Sequence, residues 1–218
     1  MADLKNHAAL EAAMPLEPES GDLDMKLKPR FFLFSKDITL NDGTIALKPH
    51  GVEELPLLWG AARESVAWAG RWLPWASADL TLERERLWLT EQQSAWRKGR
   101  AFGFAIWTAD HESYLGAVGL NYVDWAQRRA NVGYWVRTSR IGQGIAPAAM
   151  GLLKQFAFSA LDLECLDVLA NPANSASRRV AEKAGGVEKG IIPNPLSPER
   201  GQPRVWYVIS RNAPEHPA

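Results

Sequence analysis

Apolar and polar positions change period several times along the chain, and each change marks an element. Phe31 to Phe34 and Ile38 to Leu40 are β-like runs. Asn41-Asp42-Gly43 separates them from Thr44-Ile45-Ala46-Leu47, and Asp-Gly between two such runs predicts a hairpin, closed at Lys48-Pro49-His50. From Val52 to Ala69 the apolar positions move to a helical period (Leu55, Leu58, Trp59, Ala62, Val66), which predicts one or two helices. Gly70 to Ala78 is a Trp/Pro loop. Asp79 or Thr81 then caps a helix with Glu83 and Glu85 early and Arg97, Lys98 and Arg100 at its end, stopped by Gly99.

Ala101 to Thr108, Tyr114 to Val123 and Ala130 to Arg137 read as strands joined by polar turns, which predicts an antiparallel meander. Arg128 and Arg129, in the second turn, read either as a solvated turn or as a basic rim. A helix follows over 144–160, with Ile145, Ala149, Leu152, Leu153 and Phe156 on one face. Cys165 to Ala170 is a short apolar strand, so strand, helix and strand form a right-handed crossover with parallel strands. Asn174 or Ser175 caps a helix over 175–184 that ends at Gly185-Gly186. Ile191 to Arg200 carries Pro193, Pro195 and Pro198 and reads as a loop, and Pro203 to Arg211 reads as the last strand. The order β-β-α-α-β-β-β-α-β-α-β predicts an α+β domain on a mixed sheet. Residues 1–29 read as a flexible extension, 30–211 as the domain and 212–218 as a tail.

Composition narrows the function. Lys plus Arg and Asp plus Glu are equal at 25 each among 218 residues, so no global charge argues for nucleic acid or an anionic membrane. The single cysteine, Cys165, excludes an internal disulfide and sits in an apolar run, where a buried inert thiol is expected. His7, His50, His111 and His216 are scattered without ligand spacing, so no metal is expected. The chain lacks a ~20-residue apolar run and a signal-peptide core, which makes the cytoplasm the default compartment. Ten tryptophans are present, six of them between Trp59 and Trp96. They read as core packing or as an aromatic-walled groove. The irregular Arg71-Trp72-Leu73-Pro74-Trp75 segment favours a groove at that point, with Trp68, Trp72 and Trp75 lining it.

The candidate chemistry centres on Gly133 to Ala146. A strand runs into a turn with Gly142 and Gly144, and an apolar-periodic helix begins at once. Glycines let backbone approach a ligand closely, and the first N–H groups of a helix have no intrahelical acceptor, so the arrangement suits an anion. Pro147 is tolerated there because a first-turn N–H has no intrahelical partner to lose.

Four stretches, in this order and spacing, resemble the GNAT superfamily of acyl-CoA-dependent N-acetyltransferases, RimJ/RimL type. They are Arg71-Trp72-Leu73-Pro74-Trp75, Leu115 to Leu120, Val132 to Val136 running into Gly142-Gln143-Gly144-Ile145-Ala146, and Asn174 to Gly185. The resemblance implies a GNAT-like fold: a mixed, mostly antiparallel central sheet with two splayed parallel strands and flanking helices. It implies direct transfer of an acetyl group from acetyl-CoA to an amine, with no metal and no covalent enzyme intermediate. It places the pyrophosphate on Ile141, Gly142, Gln143, Gly144, Ile145 and Ala146. The pantetheine arm falls to the backbones of Val136 and Thr138 and to Asn174, while Ser177 protonates the departing thiolate. It suggests a protein or ribosomal-protein N-terminus as acceptor, and a monomer or homodimer. A module with little turnover, a small-amine transferase and a succinyl-CoA transferase remain as alternatives.

Three positions depart from the family pattern. Ile141 stands where Gln or Arg is usual, with Arg140 one residue early. Gly186 replaces an aromatic residue. Asn131 replaces a glutamate, and an amide cannot take up a proton at neutral pH. Asn131 is therefore expected to act through a held water, with Asp124 as another carboxylate that the fold can bring to the site.

Overall fold

The computed structural model describes residues 38–193 and 202–212. The extension at 1–29, the strand expected at 31–34, residues 194–200 of the expected loop, and the tail from 213 lie outside them.

Eight strands, among the described residues, form one sheet in the order β1-β2-β3-β4-β5-β6-β8-β7. They are β1 (Leu40–Asn41), β2 (Ile45–Pro49), β3 (Phe102–Thr108), β4 (Tyr114–Asp124), β5 (Arg129–Val136), β6 (Cys165–Ala170), β7 (Val187–Pro193) and β8 (Pro203–Ser210). Four α-helices flank them: α1 (Leu55–Ala69), α2 (Leu82–Arg97), α3 (Ile145–Gln155) and α4 (Ser175–Lys183). All strand pairs are antiparallel except β5 with β6. The mixed sheet agrees with the expected fold class.

The local chemistry follows the sequence. Asp42 Oδ1 accepts the N–H groups of Thr44 and Ile45 at 2.8 and 3.0 Å, so an Asx turn closes the first hairpin. Thr81, rather than Asp79, caps α2 by accepting the Arg84 N–H at 3.3 Å. α1 buries Leu55, Leu58, Ala61, Ala62, Ser65 and Ala69, and α3 buries Ile145, Ala149, Met150, Leu152 and Leu153. Those spacings give each helix one apolar stripe. The stripe of α3 packs on Phe102, Phe104, Val118, Leu120, Ala130 and Val132. The stripe of α1 packs with Leu89 of α2 on Ala46, Ala105, Trp107 and Tyr114. Helices thus cover both faces of the sheet.

Two details differ from the sequence reading. The helix over 144–160 is α-helical only to Gln155; Phe156–Ala160 widens into a π-turn, with the Leu161 N–H on the Phe156 carbonyl at 3.2 Å. Ile191 to Pro193 is not loop but the end of β7, which pairs with β8 through Pro193–Pro203. Pro193 is compatible because β7 is the sheet's edge, where a missing N–H breaks no ladder.

One feature positions the site. β5 and β6 pair only at Arg129–Cys165, Ala130–Leu166 and Asn131–Asp167. β5 then continues to Val136 with β4 as its partner, and β6 to Ala170 with β8 as its partner. The two parallel strands part beyond Asn131 and leave a cleft.

Candidate active site

The anion turn stands at the mouth of that cleft. After β5 the chain makes a short 3₁₀ turn, Thr138–Arg140, and reaches Gly142 and Gly144 with φ of +82° and +79°. Both values lie in the left-handed region, which glycine enters without the strain that a Cβ brings. A Cβ built on either residue meets nothing within 4 Å, so backbone conformation, not crowding, demands glycine, and space for a ligand lies beside the turn. Gly144 caps α3, whose first helical bond runs from the Ala148 N–H to the Gly144 carbonyl at 3.1 Å. The N–H groups of Ile145 and Ala146 precede that bond and have no intrahelical acceptor. The positive end of the helix dipole adds to them. The cradle suits an anion. Ile141, half exposed at 39%, begins the turn, and Gln143 Nε2 donates to the Ser139 carbonyl at 3.4 Å.

The wall of the cleft has free backbone. The Arg137 N–H bonds to the Leu115 carbonyl at 2.8 Å, so odd-numbered residues of β5 turn their main chain to β4. Tyr134 and Val136 therefore turn their N–H and carbonyl groups into the cleft. Val136 thereby offers main-chain groups to a ligand in the cleft. Thr138 offers fewer: its N–H is taken by Ser65 Oγ at 3.1 Å, and its carbonyl accepts from Ile141 at 3.3 Å.

Across the cleft, Asn174 caps α4 by accepting the Ser177 N–H through Oδ1 at 3.0 Å. Its Nδ2 is left to donate, so capping and ligand binding coexist in one side chain. Ser177 Oγ lies 2.8 Å from Tyr134 Oη, which also reaches the Ser177 carbonyl at 3.2 Å. Burial pushes the Tyr134 phenol up to about 12, with the Ser177 contact opposing it. The phenol therefore stays protonated at neutral pH and can donate a hydrogen bond. No local spacing marks this pair, whose members stand 43 positions apart.

Asn131 sits at the base of the cleft, on the face opposite Ala130 and Val132. Its Nδ2 donates to the Asp167 carbonyl at 3.3 Å, which leaves Oδ1 as an acceptor with fixed orientation. Asp167 stands opposite Asn131 on β6, and Asp124 stands opposite Arg129 on β4. Asp124 caps its own turn, accepting the Gln127 N–H at 2.9 Å. Asp167 accepts from Arg129 Nε and Nη2 at 2.9 and 2.6 Å and from Trp206 Nε1 at 2.6 Å. Three donors occupy its oxygens, so it ties β5, β6 and β8 together. Arg129 is thus paired, and Arg128 pairs with Asp162 and Glu164 at 2.7 and 3.0 Å, so the turn is not a free basic rim.

The aromatic loop lies on the Asn131 face. Trp75 packs its ring 5.1 Å from that of Trp135, which follows Asn131 and Gly133 along that side of β5. Trp68, 38% exposed at the end of α1, carries the Arg71 guanidinium 4.8 Å from its ring. Trp72 is half-buried between them in sequence. Trp88, Trp96 and Trp107 belong instead to the core, against His50, Phe102 and Tyr114. Trp88, Trp96 and Trp107 are thus core packing, whereas Trp68, Trp72 and Trp75 stand at and after the end of α1. Among the described residues no three of His, Cys, Asp and Glu converge as a metal site, and no helix is long and apolar enough to cross a membrane.

Comparison with known proteins bears on this geometry. The chain is 34% identical over 112 residues to "Probable N-acetyltransferase YjcK" of Bacillus subtilis, covering 51% of this chain and 62% of the relative. It is 25% identical over 95 residues to "Uncharacterized N-acetyltransferase p20" of Bacillus licheniformis, covering 44% and 53%. The chain thus spans less than two thirds of the length of these relatives. Its fold is similar to Mycobacterium smegmatis RimJ in complex with a CoA disulfide, with TM-score 0.71, 24% identity and coverage of 80% and 86%. It is likewise similar to the RimL ribosomal-protein α-N-acetyltransferase in complex with coenzyme A, with TM-score 0.71, 20% identity and coverage of 81% and 100%. The model of the acetyltransferase (GNAT) domain matches residues 45–187, about two thirds of the sequence, and the chain belongs to that family.

Proposed function

We propose that the chain is an acetyl-CoA-dependent N-acetyltransferase acting on a protein or peptide N-terminal α-amine. The observation that carries this reading is the cleft, opened where β5 and β6 part after Asn131 and Asp167, with the Gly142–Ala146 turn at its mouth. Acetyl-CoA has the matching parts: a pyrophosphate for the turn, an amide-bearing arm for Tyr134, Val136 and Asn174, and a thioester for the base of the cleft. The RimJ and RimL structures similar to this fold hold CoA, which supports the same ligand here.

The acceptor enters from the side of Trp68, Trp72 and Trp75. Asn131 Oδ1 accepts from its amine or from a water that carries the proton away. The neutral amine attacks the thioester carbonyl, and a C–N bond forms. The tetrahedral oxyanion is met by a main-chain N–H of β5. As the C–S bond breaks, Ser177 gives its proton to the thiolate, Tyr134 restores it from a phenol 2.8 Å away, and water returns to Tyr134 a proton that balances the one lost by the amine. The reading places the protein in the cytoplasm, as a monomer or homodimer. Labelled acetyl-CoA and excess enzyme in a single turnover test it: acetylated peptide is the expected product. Because Asn131 is not a base, a second reading is a CoA-binding module without turnover. CoA binding with no acetylated product from α-amine peptides or small amines supports that reading instead. A succinyl-CoA arm in the same assay decides the acyl group.

A further inference from the structure

Two consecutive residues of α1 hold three consecutive residues of the turn after β5. Ser65 is fully buried; its Oγ donates to the Ala61 carbonyl at 2.7 Å and accepts the Thr138 N–H at 3.1 Å. Glu64 accepts the Ser139 N–H through Oε1 at 2.8 Å and Arg137 Nε through Oε2 at 2.5 Å. Desolvation pushes the Glu64 carboxyl up, but the bonds from Ser139 and Arg137 outweigh it and hold the group below the ordinary glutamate value. The turn held in this way leads directly into Gly142. The same helix ends at Ala69, and its continuation stays bonded to it. The Gly70 N–H reaches the Val66 carbonyl at 2.9 Å, and the Leu73 N–H reaches the Ala69 carbonyl at 2.8 Å. That continuation carries Trp72 and Trp75.

We propose that Glu64 and Ser65 are positioning residues that seat the cofactor turn on the helix bearing the acceptor loop, so that CoA binding is transmitted to residues 66–76. The proposal rests on the acetyltransferase reading above. Its physical basis is a continuous chain of contacts. A ligand that prefers the seated turn strengthens the contacts of Glu64 and Ser65, and those contacts hold the helix from which the Trp loop hangs. Linkage makes the effect reciprocal, so acceptor binding also tightens CoA binding.

Hydrogen exchange on the full chain, with CoA alone as the probe, tests this without knowledge of the acceptor. In the wild type, saturating CoA is expected to slow exchange at 137–146 and also at 66–76. Ser65→Ala and Glu64→Gln are expected to weaken CoA binding by roughly tenfold, as loss of one bond of ~1.4 kcal/mol does. At saturation they keep protection at 142–146 and lose it at 66–76. Leu58→Val, which loosens the buried side of α1 without touching the turn, is expected to lower the melting temperature and keep both protections. Protection confined to 137–146 in the wild type overturns the proposal. So does protection at 66–76 that survives in Ser65→Ala and Glu64→Gln, or that is lost equally in Leu58→Val. A wild-type chain that binds no CoA overturns the acetyltransferase reading and this proposal with it; one that binds CoA without protecting 66–76 overturns this proposal alone.

Discussion

Tyr134 Oη and Ser177 Oγ stand 2.8 Å apart, one on β5 and the other in the first turn of α4, and they bridge the two sides of the cleft. In the proposed mechanism this contact makes the two hydroxyls a relay. Ser177→Ala is expected to lower kcat about 10–100-fold, at the low end of general-acid effects, because a thiolate is a good leaving group. Tyr134→Phe is expected to cost about tenfold. If the two act as one unit, the double variant is no slower than Ser177→Ala. Steady-state kinetics on the three variants checks this, with the acetyl-CoA KM expected to change little.

Gly144→Val addresses the anion turn. Valine at φ of +79° is strained, so the turn moves and α3 loses the geometry of its first N–H groups. In the wild type, CoA at about 100 times its Kd stabilises the fold by about 2.7 kcal/mol, which a thermal-shift assay reads. The variant is expected to show no shift.

Trp75→Ala addresses the acceptor side. The indole packs on Trp135 outside the cofactor turn, so its removal is expected to raise the acceptor KM more than the acetyl-CoA KM. Circular dichroism confirms that the variant is folded.

Glu85 gives a stability prediction. It is only 8% exposed, and desolvation pushes its carboxyl up to about 7, with Arg84 opposing weakly. The folded value lies above the ordinary 4.5, so the folded state binds more protons between those two pH values. The favourable contribution is complete below pH 4.5 and is lost as pH rises through about 7, at a cost of about 3 kcal/mol. Glu85→Gln is expected to be more stable than wild type at pH 8 and to lose most of this dependence. Urea melts at pH 5.5 and 8 measure both.

The sequence carried most of the local structure, because periodicity, caps and glycines are local signals. Of the two candidates at each start, Thr81 and Asn174 are the caps, and Gly142 and Gly144 adopt the conformations that only glycine adopts freely. β7 was hidden because its pairing with β8 is non-local and its prolines read as loop. The contacts of Glu64 and Ser65 with 137–139 were equally invisible, since the partners lie 73 to 75 positions apart. Asp167 escaped notice for the same reason: Arg129 and Trp206 meet it only once β5, β6 and β8 are side by side. Local signals marked the Gly142–Ala146 turn, and long-range pairing supplied its support.

The central claim is acetyl transfer to an α-amine by a site whose base position holds Asn131. An α-amine has an ordinary pKa of about 7.7–8.0 and a lysine side chain about 10.4, a difference on the order of 3–4 kcal/mol in availability of the neutral nucleophile at pH 7. A site without a carboxylate base tolerates the first handicap far better than the second. The decisive measurement uses two matched peptides, one with only its α-amine free and one with only its lysine free, incubated with enzyme and acetyl-CoA and followed by mass spectrometry across pH. The α-amine peptide is expected to gain one acetyl group and to be the faster substrate at pH 7, and Asn131→Ala is expected to lower its rate and shift its pH profile. A faster lysine peptide at pH 7, or an Asn131→Ala variant with unchanged rate and profile, contradicts the central claim.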